Sequence, residues 1–139
     1  MELTANALQT IETGSNVVFT NTAVAGCPSI LHREDSGLVA LRGLTSQIRA
    51  RFRVYFGANV GIPTGGTVGP ISLVFAINGE SIPTTTMIST PAAVEEFNLV
   101  SRETFIDVPT CCCYQISVKN LTDTEIVVEN ANLIIERVA

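Results

Sequence analysis

The sequence predicts an all-β protein, a sandwich or a barrel, and three observations carry that prediction. Apolar or alternating segments recur at roughly 8–12-residue spacing, separated by turn residues, with almost no helical periodicity between them. In Ile48-Arg49-Ala50-Arg51-Phe52-Arg53-Val54-Tyr55-Phe56, the residues Ile48, Ala50, Phe52, Val54 and Phe56 fall on one side of a period-two alternation. Arg49, Arg51, Arg53 and Tyr55 fall on the other, as on a strand with one dry and one polar face. The third observation is Ile71 to Asn78, nearly continuous in apolar residues and ending at Asn78-Gly79, a dipeptide favoured in type I′ hairpin turns. A strand apolar on both sides needs cover on both, from a second sheet or another subunit.

The remaining elements follow in chain order. Leu3 to Ile11 is apolar without a clean period, and Val17-Val18-Phe19 reads as a short strand after the turn cluster Glu12 to Asn16. Ile30 to Arg33 and Gly37 to Arg42 read as short strands around the polar turn Glu34-Asp35-Ser36. Gly57 to Pro70 carries glycines and prolines that suit turns and extended connections. Pro91 to Phe97 is the one stretch compatible with a helical turn, with proline at a favoured first position. Asn98 to Val108 returns to alternation, with Leu99, Phe105 and Val108 as the expected buried residues. Tyr114 to Asn120, Glu125 to Asn130 and Asn132 to Val138 complete the set as three strands. In the last of these, Leu133 and Ile135 share one face and Ile134 takes the other.

At 139 residues the chain is expected to form one domain, 1–139, able to bury a core without staples. Hydrophobic residues make up 46% and charged residues 15%, against roughly 25% charged in an ordinary soluble domain. Mean hydropathy is +0.37. An apolar surplus of this kind points to an oligomer. The formal net charge of −5 argues against a nucleic-acid phosphate binder. No apolar run approaches the roughly 20 residues of a membrane-spanning helix, so no membrane insertion is expected. Met1-Glu2-Leu3-Thr4 lacks the basic start and apolar core of a secretory signal.

The patterned pieces resemble the tumour-necrosis-factor and complement-globular-head jelly rolls, in the compact form found on bacterial collagen-like surface proteins and in Firmicutes prophages. They are Arg49 to Phe56, Val74-Phe75-Ala76-Ile77-Asn78-Gly79-Glu80, Tyr114 to Asn120, and Ala131-Asn132-Leu133-Ile134-Ile135-Glu136-Arg137-Val138. Together they span about two-thirds of the chain, and they are patterns rather than catalytic signatures. No Gly-X-Y stalk precedes them, and aromatic residues are sparse, with six Phe, two Tyr and no Trp. The resemblance implies a jelly-roll β-sandwich that forms a homotrimer, with the last strands near the threefold axis. Phe75 and Ile77 of the doubly apolar strand, and Leu133, Ile134 and Ile135 of the closing strand, are then the expected interface residues.

The chemistry-bearing residues mostly have plain readings. Cys111-Cys112-Cys113 on a strand would place Cys112 opposite its neighbours, so the three thiolates cannot converge on one tetrahedral zinc. Structural buried thiols come first, ahead of a disulfide involving Cys27, with a metal or redox role last. His32, the only histidine, sits beside Glu34, Asp35 and Ser36, but triad members converge from separate segments. A polar turn is the better reading. Arg49, Arg51 and Arg53 repel one another unless acids face them, and Glu95, Glu96, Glu103, Glu125 and Glu129 are candidates. A solvated or cross-strand-paired stripe precedes an inter-subunit stripe, with an anion site last. Gly65-Gly66 lacks the Lys-Ser/Thr and helix of a phosphate cradle. Asp107, Asp123 and Asn120 lack calcium-ligand spacing.

The expected function is therefore non-enzymatic: a homotrimeric structural or display protein of a virion or cell surface, such as a capsid decoration, fibre head or surface-filament subunit. Its expected partners are itself, a capsid or surface-layer protein, and a glycan or receptor. No catalytic, cofactor or metal residue is expected. The rival is a carbohydrate- or receptor-binding module acting through its loops.

Overall fold

The computed structural model describes residues 1–139. Twelve strands and one short 3-10 turn, Pro83–Thr85, make up its regular structure. The strands are β1 (Glu2–Ala5), β2 (Gln9–Ile11), β3 (Asn21–Val24), β4 (Ile30–His32), β5 (Val39–Arg42) and β6 (Arg49–Gly61). They continue with β7 (Ile71–Ile77), β8 (Glu80–Ser81), β9 (Met87–Ser89), β10 (Asn98–Pro109), β11 (Cys113–Asn120) and β12 (Ile126–Arg137). One six-stranded sheet has the order β10-β6-β12-β1-β3, with β2 also paired to β12. The other has the order β4-β5-β11-β7-β8, with β9 also paired to β7. From β5 onward the chain passes repeatedly from one sheet to the other, which makes the sandwich a jelly roll.

Inward-facing side chains of the two sheets form one core of 29 buried residues. β6 supplies Ala50, Phe52, Val54 and Phe56, all fully buried, as its alternation requires. Ile48 departs from that pattern, at 86% exposed, because it precedes the strand. β6 is also longer than its charged alternation, running on through small residues to Gly61.

β7 is dry on both faces, and a single chain achieves this. Leu73 and Phe75 enter the core, whereas Val74 and Ala76 face outward and are still fully covered. Lys119, in register with Val74, donates from Nζ to the Gly79 carbonyl at 3.2 Å. The doubly apolar strand thus creates no need for a second subunit. Its turn is as the sequence predicts: Asn78 and Gly79 have φ of 52° and 84°, the pair of positive values a type I′ turn requires.

Four expectations are corrected. Val17-Val18-Phe19 is not a strand; Val17 and Phe19 enter the core from a loop held by Val17 N–H to Val118 O and Phe19 N–H to Ser36 O. Pro91 to Phe97 contains no helix, since Glu95 takes φ of 61°, which an α-helix cannot accommodate. Leu99 and Phe105 are exposed and only Val108 is buried. The three sit in one strand, so an even-numbered residue cannot share a face with two odd-numbered ones, and Val100, Ile106 and Val108 form the buried set. Finally, Glu125 to Asn130 and Asn132 to Val138 are one strand with a bulge, not two strands. Asn130 and Ala131 stand opposite Ala58 alone, and Asn130 absorbs the extra residue at φ of 55°. At that bulge β12 changes its outer partner from β2 to β1.

Candidate assembly face

The outward face of the β10-β6-β12-β1-β3 sheet carries the arginine stripe together with Glu103, Asp107, Leu99, Phe105 and Ile134. Register fixes its rows. Phe105, Arg53 and Glu136 lie side by side; next come Glu103, Tyr55, Ile134, Glu2 and Val24. The arginine stripe is paired across strands. Arg51 donates two hydrogen bonds to Asp107, 2.7 and 3.0 Å long, and Arg49 Nε lies 3.1 Å from the same carboxylate. Arg53 reaches Glu136 at 3.3 Å and Glu103 at 4.0 Å. Hydrogen bonding to Arg51 holds the Asp107 carboxyl below its usual range, with the Arg49 and Arg51 charges acting in the same direction. The acids that face the stripe are thus Asp107, Glu136 and Glu103. Of the sequence candidates, only Glu103 was among them.

Beside these ion pairs the face carries exposed apolar side chains. Ile134 is 36% exposed, Phe105 60% and Leu99 71%. Tyr55, opposite Ile134, lays its ring over Gly57, where a Cβ would come within 2.9 Å of the tyrosine hydroxyl oxygen. A glycine here lets the ring lie along the sheet. Asn132 donates to Glu2 at 2.7 Å. Beside Ile134 the face falls into an open cleft of about 1020 Å³, whose apolar lining includes Val24, Leu44 and Val138.

The expected interface residues separate in the structure. Phe75, Leu133 and Ile135 are 0–1% exposed within one chain and face its own core, so they have no surface to offer a neighbour. Ile77 packs against the rim of that core. Ile134 alone stands on an open face, as the parity of its strand predicted. Sequence reasoning missed Leu99 and Phe105 as surface residues, although period-two parity with Ile106 and Val108 signals both; Tyr55 lies on the polar face of β6, as the alternation predicted.

The cysteines are not buried thiols: Cys27, Cys111, Cys112 and Cys113 are all exposed and unpaired. The run does not lie within a strand. Pro109 ends β10, Cys111 turns the chain at φ of 63°, and only Cys113 belongs to β11. His32 is held structurally, with Nε2–H donating to Ser36 O at 3.0 Å and its ring set edge-on to Phe19. Asp107 is an ion-pair partner, and Asn120 is a fully buried hydrogen-bonding residue, so neither is disposed as a calcium ligand.

No protein-family model matches the chain, and no curated protein matches it. Solved structures do. The Eiger TNF from S. frugiperda superposes with a TM-score of 0.70 at 9% identity, covering 100% of this chain and 92% of that one. The globular domain of zebrafish complement 1qA protein gives 0.59 at 10% identity, covering 96% and 93%. Murine APRIL gives 0.59 at 9% identity, covering 95% and 96%. The chain therefore has a jelly-roll fold similar to that of tumour-necrosis-factor and complement globular domains.

Proposed function

We propose that the protein is a non-enzymatic structural or display module that assembles as a homotrimer through the outward face of its β10-β6-β12-β1-β3 sheet, on a virion or cell surface. The observation that carries this reading is the character of that face. Leu99, Phe105 and Ile134 are exposed there, flanked by Tyr55, while its arginines are matched by acids of the same chain. A face whose arginines are already paired can be covered without leaving those cations unpartnered. The adjoining cleft extends the apolar area toward Val24. The low charge content of the sequence, and the homotrimer implied by its resemblance, point the same way. Phe105, Leu99, Tyr55 and Ile134 replace Phe75, Leu133 and Ile135 as the contact residues.

Light scattering on the full chain is expected to give about three times the 14.8 kDa chain mass. Ile134→Arg is expected to lower that mass toward one chain while leaving the β circular-dichroism spectrum intact, because the side chain faces outward. A monomeric wild type over a broad concentration range refutes the proposal. A trimeric Ile134→Arg places the contact elsewhere. Recognition of a glycan or receptor through loops has less support: of the two exposed aromatic residues Phe97 and Phe105, only Phe97 lies on a loop.

A further inference from the structure

All four cysteines lie at one end of the sandwich, although Cys27 is far in sequence from the Cys111-Cys112-Cys113 run. A chain of backbone hydrogen bonds joins the two segments. Ile30 N–H donates to Cys27 O, Arg42 N–H to Ser29 O, and Gly43 N–H to Cys112 O. Cys113 is in register with Arg42. The turn bearing the run is firmly seated: Cys112 N–H donates to Pro109 O at 3.0 Å, and the Thr110 hydroxyl donates to Thr45 O at 2.8 Å. Gly43 packs so tightly beneath it that a Cβ would collide with the Pro109 carbonyl.

Free cysteine is among the most buried residue types, so exposure of every thiol in a chain calls for a reason. No three His, Cys, Asp or Glu side chains converge on a common point, which leaves the thiols without a metal-binding arrangement. Pairing between sequence neighbours is disfavoured as well. Consecutive Cα atoms are about 3.8 Å apart, below the roughly 4.4–6.8 Å range of ordinary disulfides. The thiols are displayed outward on a rigid turn, accessible to thiols of another molecule.

We propose that this end of the sandwich is a covalent cross-linking site, where the Cys111-Cys112-Cys113 run forms disulfides with the same run on other copies of this chain. The chemistry is thiol–disulfide exchange with a small-molecule disulfide. A cysteine thiolate attacks the oxidant's S–S bond, forming a mixed disulfide and releasing one thiolate. A thiolate of the second copy then attacks that mixed disulfide and releases the second. Two protein thiols are oxidised, the oxidant is reduced to two thiols, and the two protons lost by the protein thiols are taken up, through solvent, by the two released thiolates. The turn bearing the run follows directly on β10, and its cross-linking chemistry requires no contact through the proposed assembly face.

The test is incubation of the full chain with oxidised glutathione at mildly alkaline pH, quenching with N-ethylmaleimide, and denaturing electrophoresis without reductant. The expected result is a ladder extending beyond the dimer that collapses to one band with dithiothreitol. Cys27→Ser keeps the ladder. The triple variant Cys111→Ser/Cys112→Ser/Cys113→Ser, checked for folding by circular dichroism, forms nothing beyond the dimer. A wild type that runs only as a monomer overturns the proposal, whether its thiols remain free or pair within the chain. Loss of the ladder in Cys27→Ser overturns the assignment to the run.

Discussion

Arg51 and Asp107, on neighbouring strands β6 and β10, meet in a two-pronged pair with hydrogen bonds of 2.7 and 3.0 Å. Fork-to-fork geometry fixes both side chains in a way a single contact does not. Asp107 also faces Arg49 at 3.1 Å, so one carboxylate answers two guanidinium groups.

That arrangement sets the sign of an acid dependence. The folded-state pKa of Asp107 lies below its ordinary value, so its contribution is present above the unfolded-state pKa of about 3.9 and is lost as pH falls through the folded-state value. Asp107→Asn is expected to remove that part of the pH dependence, and the loss is small because the pair is exposed to solvent. Urea midpoints of both proteins, compared at neutral and acidic pH, check it; an unchanged acid dependence in the variant contradicts the assignment.

Two phenylalanines should behave oppositely. Phe75 is 1% exposed and lies in the shared core, and Phe75→Ala should cost roughly 3–5 kcal/mol of folding stability. Phe105 is 60% exposed, and in a dissociated chain Phe105→Ala should change stability by less than about 0.5 kcal/mol. Chemical denaturation of both variants in the Ile134→Arg background separates folding from assembly.

Asn120 is fully buried and bonds three ways: Nδ2 donates to Ile11 O at 3.0 Å and to Thr124 O at 3.3 Å, and Oδ1 accepts from Thr122 N–H at 2.9 Å. It therefore ties the end of β11 to β2 across the sandwich. Asn120→Leu has similar bulk but leaves buried backbone groups without partners, at about 1–3 kcal/mol each. A fall in thermal midpoint should appear together with faster amide exchange around Ile11 and Thr122; a variant as stable as wild type refutes this role.

The sequence by itself determined the class of fold, the outward stripe of Arg49, Arg51 and Arg53, and the opposed faces of Leu133, Ile134 and Ile135. Each is a matter of period-two alternation, which is local and survives without knowledge of the partner strand. It also determined the Asn78-Gly79 turn, since positive φ at two successive positions is a property of those residues. Tertiary structure decided which strands are neighbours, and with that the acids that face the arginines. Asp107 and Glu136 lie 56 and 83 residues from the arginines they meet, and no local pattern encodes such a pairing. It likewise decided that β7 is covered on both faces within one chain, with Val74 and Ala76 fully buried on its outer side. The cysteine run shows the same division. Composition favours burial for a thiol, but the chain must turn where it passes from β10 in one sheet to β11 in the other, and that turn falls on Cys111 and Cys112.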